Sequence, residues 1–488
     1  MNNRKITKRT EDYSRWYLDL IEAAELADSS SVRGCMVFRP NGYALWENIQ
    51  KVLGSAFKVL GIQNAYFPLF IPKNLIEKEA KHVEGFAKEC AVVTHHRLEA
   101  NEEGVLVPTG LLEEPLVVRP TSETIIYSSF QRWIHSYRDL PLLINQWANV
   151  VRWEMRPRPF LRTTEFLWQE GHTAHSTEEE AGEMTMRMIE VYRRFVEDHL
   201  AIPVVIGKKS EQEKFAGALY TTCLEALMQD GKALQAATSH MLGQNFAKAF
   251  DVKFSDQGGE EQFVWQTSWG LSTRIIGALI MVHGDDKGVI IPPKIAALHA
   301  VIIPVAVEVG GKEIVQRAYT VAAKLQEQLG ITVKIDEGEG RVGAKFFEWE
   351  KKGVPIRIEI GPKELAANSL IVVRRDTGEK VLVDDVGVVA HVENTLAAIQ
   401  KNLFEKALQR QNEHSKKVNS WDEFKEKAVG SGGFLYSHWC GDVACESQIK
   451  KETLATIRCI PLNSEDEQGK CVRCGGDSPR RVIFAKAY

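Results

Sequence analysis

The chain has 488 residues, room for about three domains at roughly 150 residues each, every one large enough to bury a core. Apolar residues make up 44% and charged residues 26%, with 36 Gly and 17 Pro, which excludes a fibrous or largely disordered chain. Lys and Arg number 61 against 65 Asp and Glu, a net charge of −4, so any nucleic-acid partner must be held by local basic patches.

From Tyr43 to Leu60 the apolar residues Leu45, Ile49, Val52, Leu53, Phe57 and Leu60 recur at helical spacing, and Gly61 marks a stop. Ala65 to Phe70 reads as a strand, although Pro68 restricts it to an edge, a bulge or an interface. Helices are expected over Ser122 to Tyr137, over Thr177 to Leu200 behind the capping box Thr177-Glu-Glu-Glu180, and over Ser272 to His283. Strands are expected at Leu142 to Trp153, Thr164 to His172, Val204 to Gly207, Leu234 to Leu242 and Phe263 to Ser268, with a helix in the interval after Gly207. Without a βαβαβ rhythm before residue 290, these strands suggest a mixed or antiparallel sheet.

After Pro292-Pro293 the pattern changes to strand Leu298 to Val305, helix Lys312 to Leu329, strand Thr332 to Asp336, helix Val342 to Lys352, and strands Pro355 to Ile360 and Ser369 to Val373. That alternation is a small α/β domain. A charged helical stretch from Val392 to Lys417 leads to a Gly-Ser-Gly-Gly turn at 430–433 and a cysteine-rich end. The fold class is therefore α/β in the broad α+β sense, with domains expected at 1–290, 291–400 and 401–488.

The apolar runs Leu271 to Val282 and Ile295 to Val309 are too short or too interrupted for a membrane span, and no apolar core follows the basic N-terminus as in a signal peptide. The cytoplasm is the expected location. Of eight cysteines, Cys35, Cys90 and Cys223 are scattered, while Cys440-x4-Cys445 and Cys471-x2-Cys474 form two short pairs. Such pairs, with Gly475-Gly476 easing the second turn, are expected to hold one structural Zn²⁺ through four thiolates; Cys459 has no near partner and is left out.

Val151-Arg152-Trp153-Glu154, a Pro- and Arg-rich loop, and Arg162-Thr-Thr-Glu-Phe166 supply parts suited to ATP. An arginine fork can clamp the α-phosphate, a carboxylate can accept from the adenine amino group, and an aromatic face can stack on the base. Alone, an R-x-E is better read as an exposed ion-paired hairpin. Its company decides: Gly270-Leu-Ser-Thr-Arg274 opens an apolar helix where an inward arginine could meet terminal phosphates.

In this order, the long helix ending in Pro68, the Arg152 segment and the Arg274 segment resemble motifs 1, 2 and 3 of the class II aminoacyl-tRNA synthetases. Arg119-Pro-Thr-Ser-Glu-Thr124, Phe160-Leu-Arg-Thr-Thr-Glu-Phe-Leu-Trp-Gln-Glu-Gly-His172 and Gln235-Ala-Ala-Thr-Ser-His240 resemble, more narrowly, the prolyl-tRNA synthetases of archaeal and eukaryote-like type. The likeness spans essentially the whole chain. It implies an antiparallel-sheet catalytic domain, an α/β anticodon-binding domain, a C-terminal zinc-binding α+β domain, and a homodimer built across the motif 1 helix and Pro68.

The resemblance also implies roles. Arg152, Glu154, Phe166, Gln235, Thr238 and Arg274 would bind ATP, with Arg152 and Arg274 stabilising charge during catalysis and Mg²⁺ accompanying the nucleotide. Thr121, Glu123, Trp168, Glu170, His172 and His240 would form the proline pocket, with Arg152 on the carboxylate. Carboxylate and hydroxyl acceptors suit a secondary ammonium, and Trp168 offers a flat wall to a pyrrolidine ring. Between Lys345 and Lys380 eight Lys or Arg lie among Phe346, Phe347 and Trp349, a mixture suited to single-stranded RNA; in the resembling family this unit reads the anticodon of tRNA, and Phe346, Glu350, Arg357 and Lys363 hold the corresponding positions. A terminal tyrosine there returns toward the active site, which would order Tyr488. The bacterial-type relatives carry an editing insertion between motifs 2 and 3, for which His172 to Gly270 leaves no room.

An active proline ligase and a non-catalytic paralogue that only binds tRNA or a protein both fit the fold. Retention of Arg152, Glu154 and Arg274 favours the enzyme. Sister synthetases for threonine, serine, histidine or glycine fit less well with the Thr121/Glu123 and Trp168/Glu170/His172 signature.

Overall fold

The computed structural model describes residues 5–78, 89–305, 311–464 and 466–488. The first four residues of the basic N-terminus and residues 306–309 of the second apolar run lie outside the described residues.

The long helix forms over Pro40–Val59, with proline in its first turn, and buries Leu45, Trp46, Ile49, Leu53 and Phe57 along one stripe. Each such side chain contributes about 1.5–3 kcal/mol when withdrawn from water. The chain beyond it departs from the expected strand: only Gln63–Asn64 and Phe70–Pro72 are extended in ladders, and 65–69 is irregular. Pro68 has no N–H to give a ladder, and the backbone around it is satisfied from the side. Phe67 N–H donates to Gln146 Oε1 at 2.6 Å, and Arg119 Nη1 donates to the Phe67 carbonyl at 2.8 Å.

The central sheet runs through Val204–Lys208, Tyr220–Leu227, Ala233–Gly243, Trp265–Ser272, Glu165–His175 and Leu142–Val151, all neighbours antiparallel. Gln63–Asn64 pairs parallel at its far edge. Where a helix was expected after Gly207, Tyr220–Leu227 is a strand buried on both faces. Leu224-Glu-Ala-Leu227 has helix-forming composition, and burial between two ladders overrides it. The ribbon Ala91–Ala100 with Leu106–Val118 was not expected; most of its residues face water, so it has little apolar alternation to read.

The Thr177 side chain accepts from Glu180 N–H at 3.2 Å and caps the helix Glu178–Arg194, as the capping box suggested. The helix Arg274–His283 is buried along almost its whole length. Beyond residue 293, a five-stranded sheet in the order Val333–Ile335, Ala300–Pro304, Ile356–Ile360, Ser369–Arg374, Lys380–Asp384 carries the helices Gly311–Leu329 and Val342–Lys351. Arg375 ties this unit to the turn after the buried helix, donating to both Asp285 carboxylate oxygens at 2.8 Å. The charged helix spans Val388–Glu413, four residues earlier at each end than the sequence indicated, and Ser415–Lys417 is a strand.

Thr456–Pro461, Arg481–Ala485, Phe434–His438 and Ser415–Lys417 do not form a separate sheet. Ile460 pairs with Lys208 and Pro461 with Gly207, so the C-terminal strands extend the central sheet to eleven strands among the described residues.

Candidate active site

Alternation along Glu165–His175 sends Phe166, Trp168, Glu170 and His172 to one face of the sheet. Ladder pairing aligns Gln146, Glu170, Gly270 and Thr238 in one row, and Ile144, His172, Ser268 and His240 in the next. Glycine at 270 leaves the floor between Glu170 and Thr238 open: a Cβ there would touch nothing closer than 3.5 Å and would stand in the cleft. The pairing of Tyr220–Leu227 with Ala233–Gly243 slips between Leu224 and Glu225, so Ala237 and Gln235 become successive partners. That bulge turns Gln235 to the face already used by Thr238.

Glu170 is buried and accepts from Ser122 Oγ at 2.5 Å, from Gln146 Nε2 at 2.9 Å and from His172 Nε2 at 2.9 Å. His172 Nδ1 then accepts from the Tyr127 hydroxyl at 3.1 Å, which fixes the ring. Thr121 donates to the Glu123 carboxylate beside it, both residues being buried. His240 lies between the Thr221 and Thr238 hydroxyls at 2.9 and 3.0 Å. Burial, aided by nearby His172, pushes its pKa down to about 3, so the ring is neutral at pH 7.

Arg152 donates from Nε to the Pro120 carbonyl at 2.8 Å, and its guanidinium lies 5.6 Å from the Phe166 ring and 5.5 Å from that of Trp168. Burial brings its pKa down to about 10 against the pull of Glu123, so it stays charged at neutral pH. Arg274, at the first turn of its helix, donates to the Leu161 carbonyl at 3.1 Å. Burial, then Arg162 and Arg458, lower its pKa from the ordinary arginine value. Glu154 accepts from Arg156 N–H at 2.8 Å at the start of the loop. Two arginines, an open floor and a row of acceptors thus share one cleft, able to grip an anion at one end and an ammonium group at the other.

Three family models match the chain: the tRNA synthetase class II core domain (G, H, P, S and T) over residues 110–283, an anticodon binding domain over 299–401, and the prolyl-tRNA synthetase C-terminal domain over 421–488. A proline--tRNA ligase of Flavobacterium johnsoniae is 56% identical over 492 residues, covering 100% of both chains. Those of Porphyromonas gingivalis and Chlorobaculum tepidum are each 55% identical, covering 99% of both chains. The chain belongs to the prolyl-tRNA synthetases.

In this synthetase the expected anticodon residues are only partly together. Arg357 stacks 4.2 Å from the Phe346 ring and bonds Glu359, and Lys380 approaches the same ring at 5.7 Å. Glu350 instead accepts from Lys287 at 3.2 Å, facing the turn that follows the helix Arg274–His283, and Lys363 stands exposed on the short helix Pro362–Ala366. Lys380 belongs to the basic cluster read from sequence, whereas Glu359 escaped that reading because only the strand sets it beside Arg357.

The sulfur atoms of Cys440, Cys445, Cys471 and Cys474 lie within 4.8 Å of one another. The Cys440 and Cys474 sulfurs are 3.7 Å apart, close to the spacing of about 3.8 Å that tetrahedral zinc with bonds of about 2.3 Å requires. Gly476 N–H donates to Cys474 Sγ at 3.4 Å and lowers its pKa, and Gly475 supplies the left-handed turn at φ 73°. Cys459 is absent from this group and packs with Cys223 in an apolar cluster.

Ser122, Gln146, Tyr127, Phe215 and Ser268 were not singled out from sequence. The Phe215 ring lies tilted 4.8 Å from that of His240, and Ser268 Oγ is buried between His172 and His240 without a hydrogen-bond partner among the described residues. Strand register reveals Gln146 and Ser268, and tertiary packing of the helix Glu123–Trp133 and of the loop at Phe215 reveals the others; Ser122 alone lay within a quoted motif.

Proposed function

We propose that the chain is an ATP-dependent proline--tRNA ligase acting through prolyl-adenylate. The observation that carries this reading is the cleft itself, where buried carboxylates, a tryptophan wall and two arginines occupy one face of the sheet in a chain of this family. The carboxylate of proline attacks the α-phosphorus of ATP and pyrophosphate leaves. The prolyl group then passes to the 3′-terminal adenosine of tRNA.

Neither step needs a protein nucleophile. Glu170, already held by three donors, with Thr121 and Glu123, accepts from the ring ammonium while Trp168 covers the pyrrolidine. His172 and His240 close the pocket, and the neutral His240 adds no cation beside that ammonium. Arg152 reaches both the proline carboxylate and the α-phosphate, aligning them and stabilising the charge that develops. Phe166 and Glu154 receive adenine, and Gln235, Thr238 and Arg274 hold the remainder of the nucleotide. Magnesium would arrive with ATP as its counterion. The four cysteines are the one group of three or more His, Cys, Asp or Glu among the described residues that is close enough to ligate a metal.

The four cysteines would hold zinc that cross-links two loops and leaves no position for water, a structural role. The α/β unit would read the anticodon through Phe346 and Arg357, with Lys363 as a further cation and Glu350 as a brace to Lys287. We divide the chain into units at 1–290, 291–400 and 401–488. The C-terminal unit and the short interval between motifs 2 and 3 support the archaeal and eukaryote-like subtype and the absence of an editing insertion. A homodimer would cover exposed Val59, Tyr66, Pro68 and Phe70 beside the two-residue edge strand. No helix among the described residues is long and apolar enough to cross a membrane; a cytoplasmic location accords with the reaction. Amino-acid-dependent pyrophosphate exchange over all twenty amino acids tests the assignment, with proline expected to dominate. Strongest exchange with threonine or serine would overturn it.

A further inference from the structure

Three ionised side chains meet where the C-terminal strands join the central sheet. Lys209 Nζ donates to Glu225 Oε1 at 2.7 Å and to the Arg458 carbonyl at 2.8 Å. Arg458 donates to Glu225 Oε2 from Nε at 3.0 Å and to Oε1 from Nη2 at 3.1 Å. Glu225 is fully buried and Lys209 and Arg458 nearly so. Burial pushes the Glu225 carboxyl up, but Lys209 and Arg458 outweigh it and hold the pKa below the ordinary glutamate value.

The place of this cluster gives it meaning. Glu225 sits at the slip in strand pairing that turns Gln235 toward the cleft, and Gln235 is its ladder partner. Alternation puts Glu225, Cys223 and Thr221 on the same face as His240 and Thr238. The C-terminal unit covers that face directly: a Cβ at Gly207 would lie 2.5 Å from Cys459 Cβ, so only glycine lets the strand from the C-terminal unit cross there. Arg458 and Glu225 also both act on the charge of Arg274. A buried ion cluster is weak support for stability, since apolar residues of similar volume serve as well. What it can fix is geometry, and here it pins the bulge.

We propose that Arg458, supplied by the C-terminal unit, is a positioning residue for the nucleotide end of the cleft: by clamping Glu225 it sets how the adjacent strand presents Gln235 and Thr238. ATP use is then tied to docking of the C-terminal unit. This rests on the reading that Gln235 and Thr238 hold ATP.

Steady-state pyrophosphate exchange with the full chain, varying ATP and proline separately, tests it. Arg458→Gln should raise the KM for ATP by roughly tenfold and the KM for proline by no more than about threefold, because of the proline pocket only His240 shares a strand with Gln235 and Thr238, while Trp168, Glu170 and His172 lie two strands beyond them. Arg458→Lys, which keeps charge but not the fork, should raise it by about threefold. Should Arg458→Gln fail to fold, a wild-type KM for ATP in Arg458→Lys overturns the proposal. So do equal changes in both KM values, the mark of a wholly structural role. Gln235→Ala run alongside separates the two failures: an unchanged KM for ATP removes the nucleotide reading and the proposal with it. A raised KM in Gln235→Ala with none in Arg458→Gln overturns only the role of Arg458.

Discussion

Replacing Arg152 by Ala should abolish activation while leaving the fold intact, and the two costs can be set apart. The structural loss includes one bond to the Pro120 carbonyl at 2.8 Å and two ring contacts at 5.5–5.6 Å. At about 1 kcal/mol for the bond and about 0.5–1 kcal/mol for each cation–π contact, that is on the order of 2–3 kcal/mol. In a chain of this size the melting temperature should fall by only a few degrees. The catalytic loss is larger. A single donor to a developing oxyanion is worth roughly 10²–10³ in rate, and a guanidinium gripping both carboxylate and α-phosphate forfeits two such contacts, on the order of 10⁴-fold or more. That corresponds to about 5.5 kcal/mol at 1.36 kcal/mol per decade. Proline-dependent pyrophosphate exchange and a thermal melt on the same preparation give both numbers. Arg152→Lys should fall between wild type and alanine, because charge without the fork restores part of the clamp. Exchange by Arg152→Ala within about tenfold of wild type would refute the clamp.

Elemental analysis of protein purified without chelator should find one zinc per chain; no zinc, or activation lost at once on zinc removal while the fold persists, would contradict a structural site. Tyr488 packs between Arg158 and Lys232 and its hydroxyl donates to Asp230 at 2.5 Å, so its deletion should lower proline activation, and an unchanged rate would sink the idea. Burial holds the pKa of His240 and His283 at about 3 and of His175 at about 4, below the unfolded value of about 6.5. Their stability contribution is present above about pH 6.5 and declines toward the folded values, by up to about 1.4 kcal/mol per histidine per pH unit. Denaturant midpoints that do not fall between about pH 6.5 and 5 would contradict neutral, buried rings. The pocket cannot refuse alanine sterically, the missing methylenes being worth only about 1–3 kcal/mol, so slow alanine charging without deacylation of the mischarged tRNA is expected. Rapid hydrolysis of alanyl-tRNA bearing the proline anticodon would show a correcting site.

Local patterns were legible from sequence where a segment meets water on one side and the core on the other. The helix Pro40–Val59 and the capped helix after Thr177 carry such a period, whereas the hairpin of Leu142–Val151 with Glu165–His175 has no exposed residue and was legible from its β-forming composition. The two cysteine pairs were legible for another reason, since their spacing is itself the coordination chemistry. What the sequence could not carry was register across strands distant in the chain. Whether Ser268 stands between two histidines, whether Gln235 turns inward at a bulge, and which cations neutralise Glu225 depend on partners up to 233 residues away. Leu224-Glu-Ala-Leu227 looks helical and becomes a strand because both its faces are buried between ladders. Residues 65–69 look extended and are irregular because Gln146 and Arg119 satisfy backbone groups a ladder would have used. The docking of the C-terminal strands onto Val204–Lys208 leaves no local trace either, since edge pairing uses backbone groups that every residue except proline supplies in full.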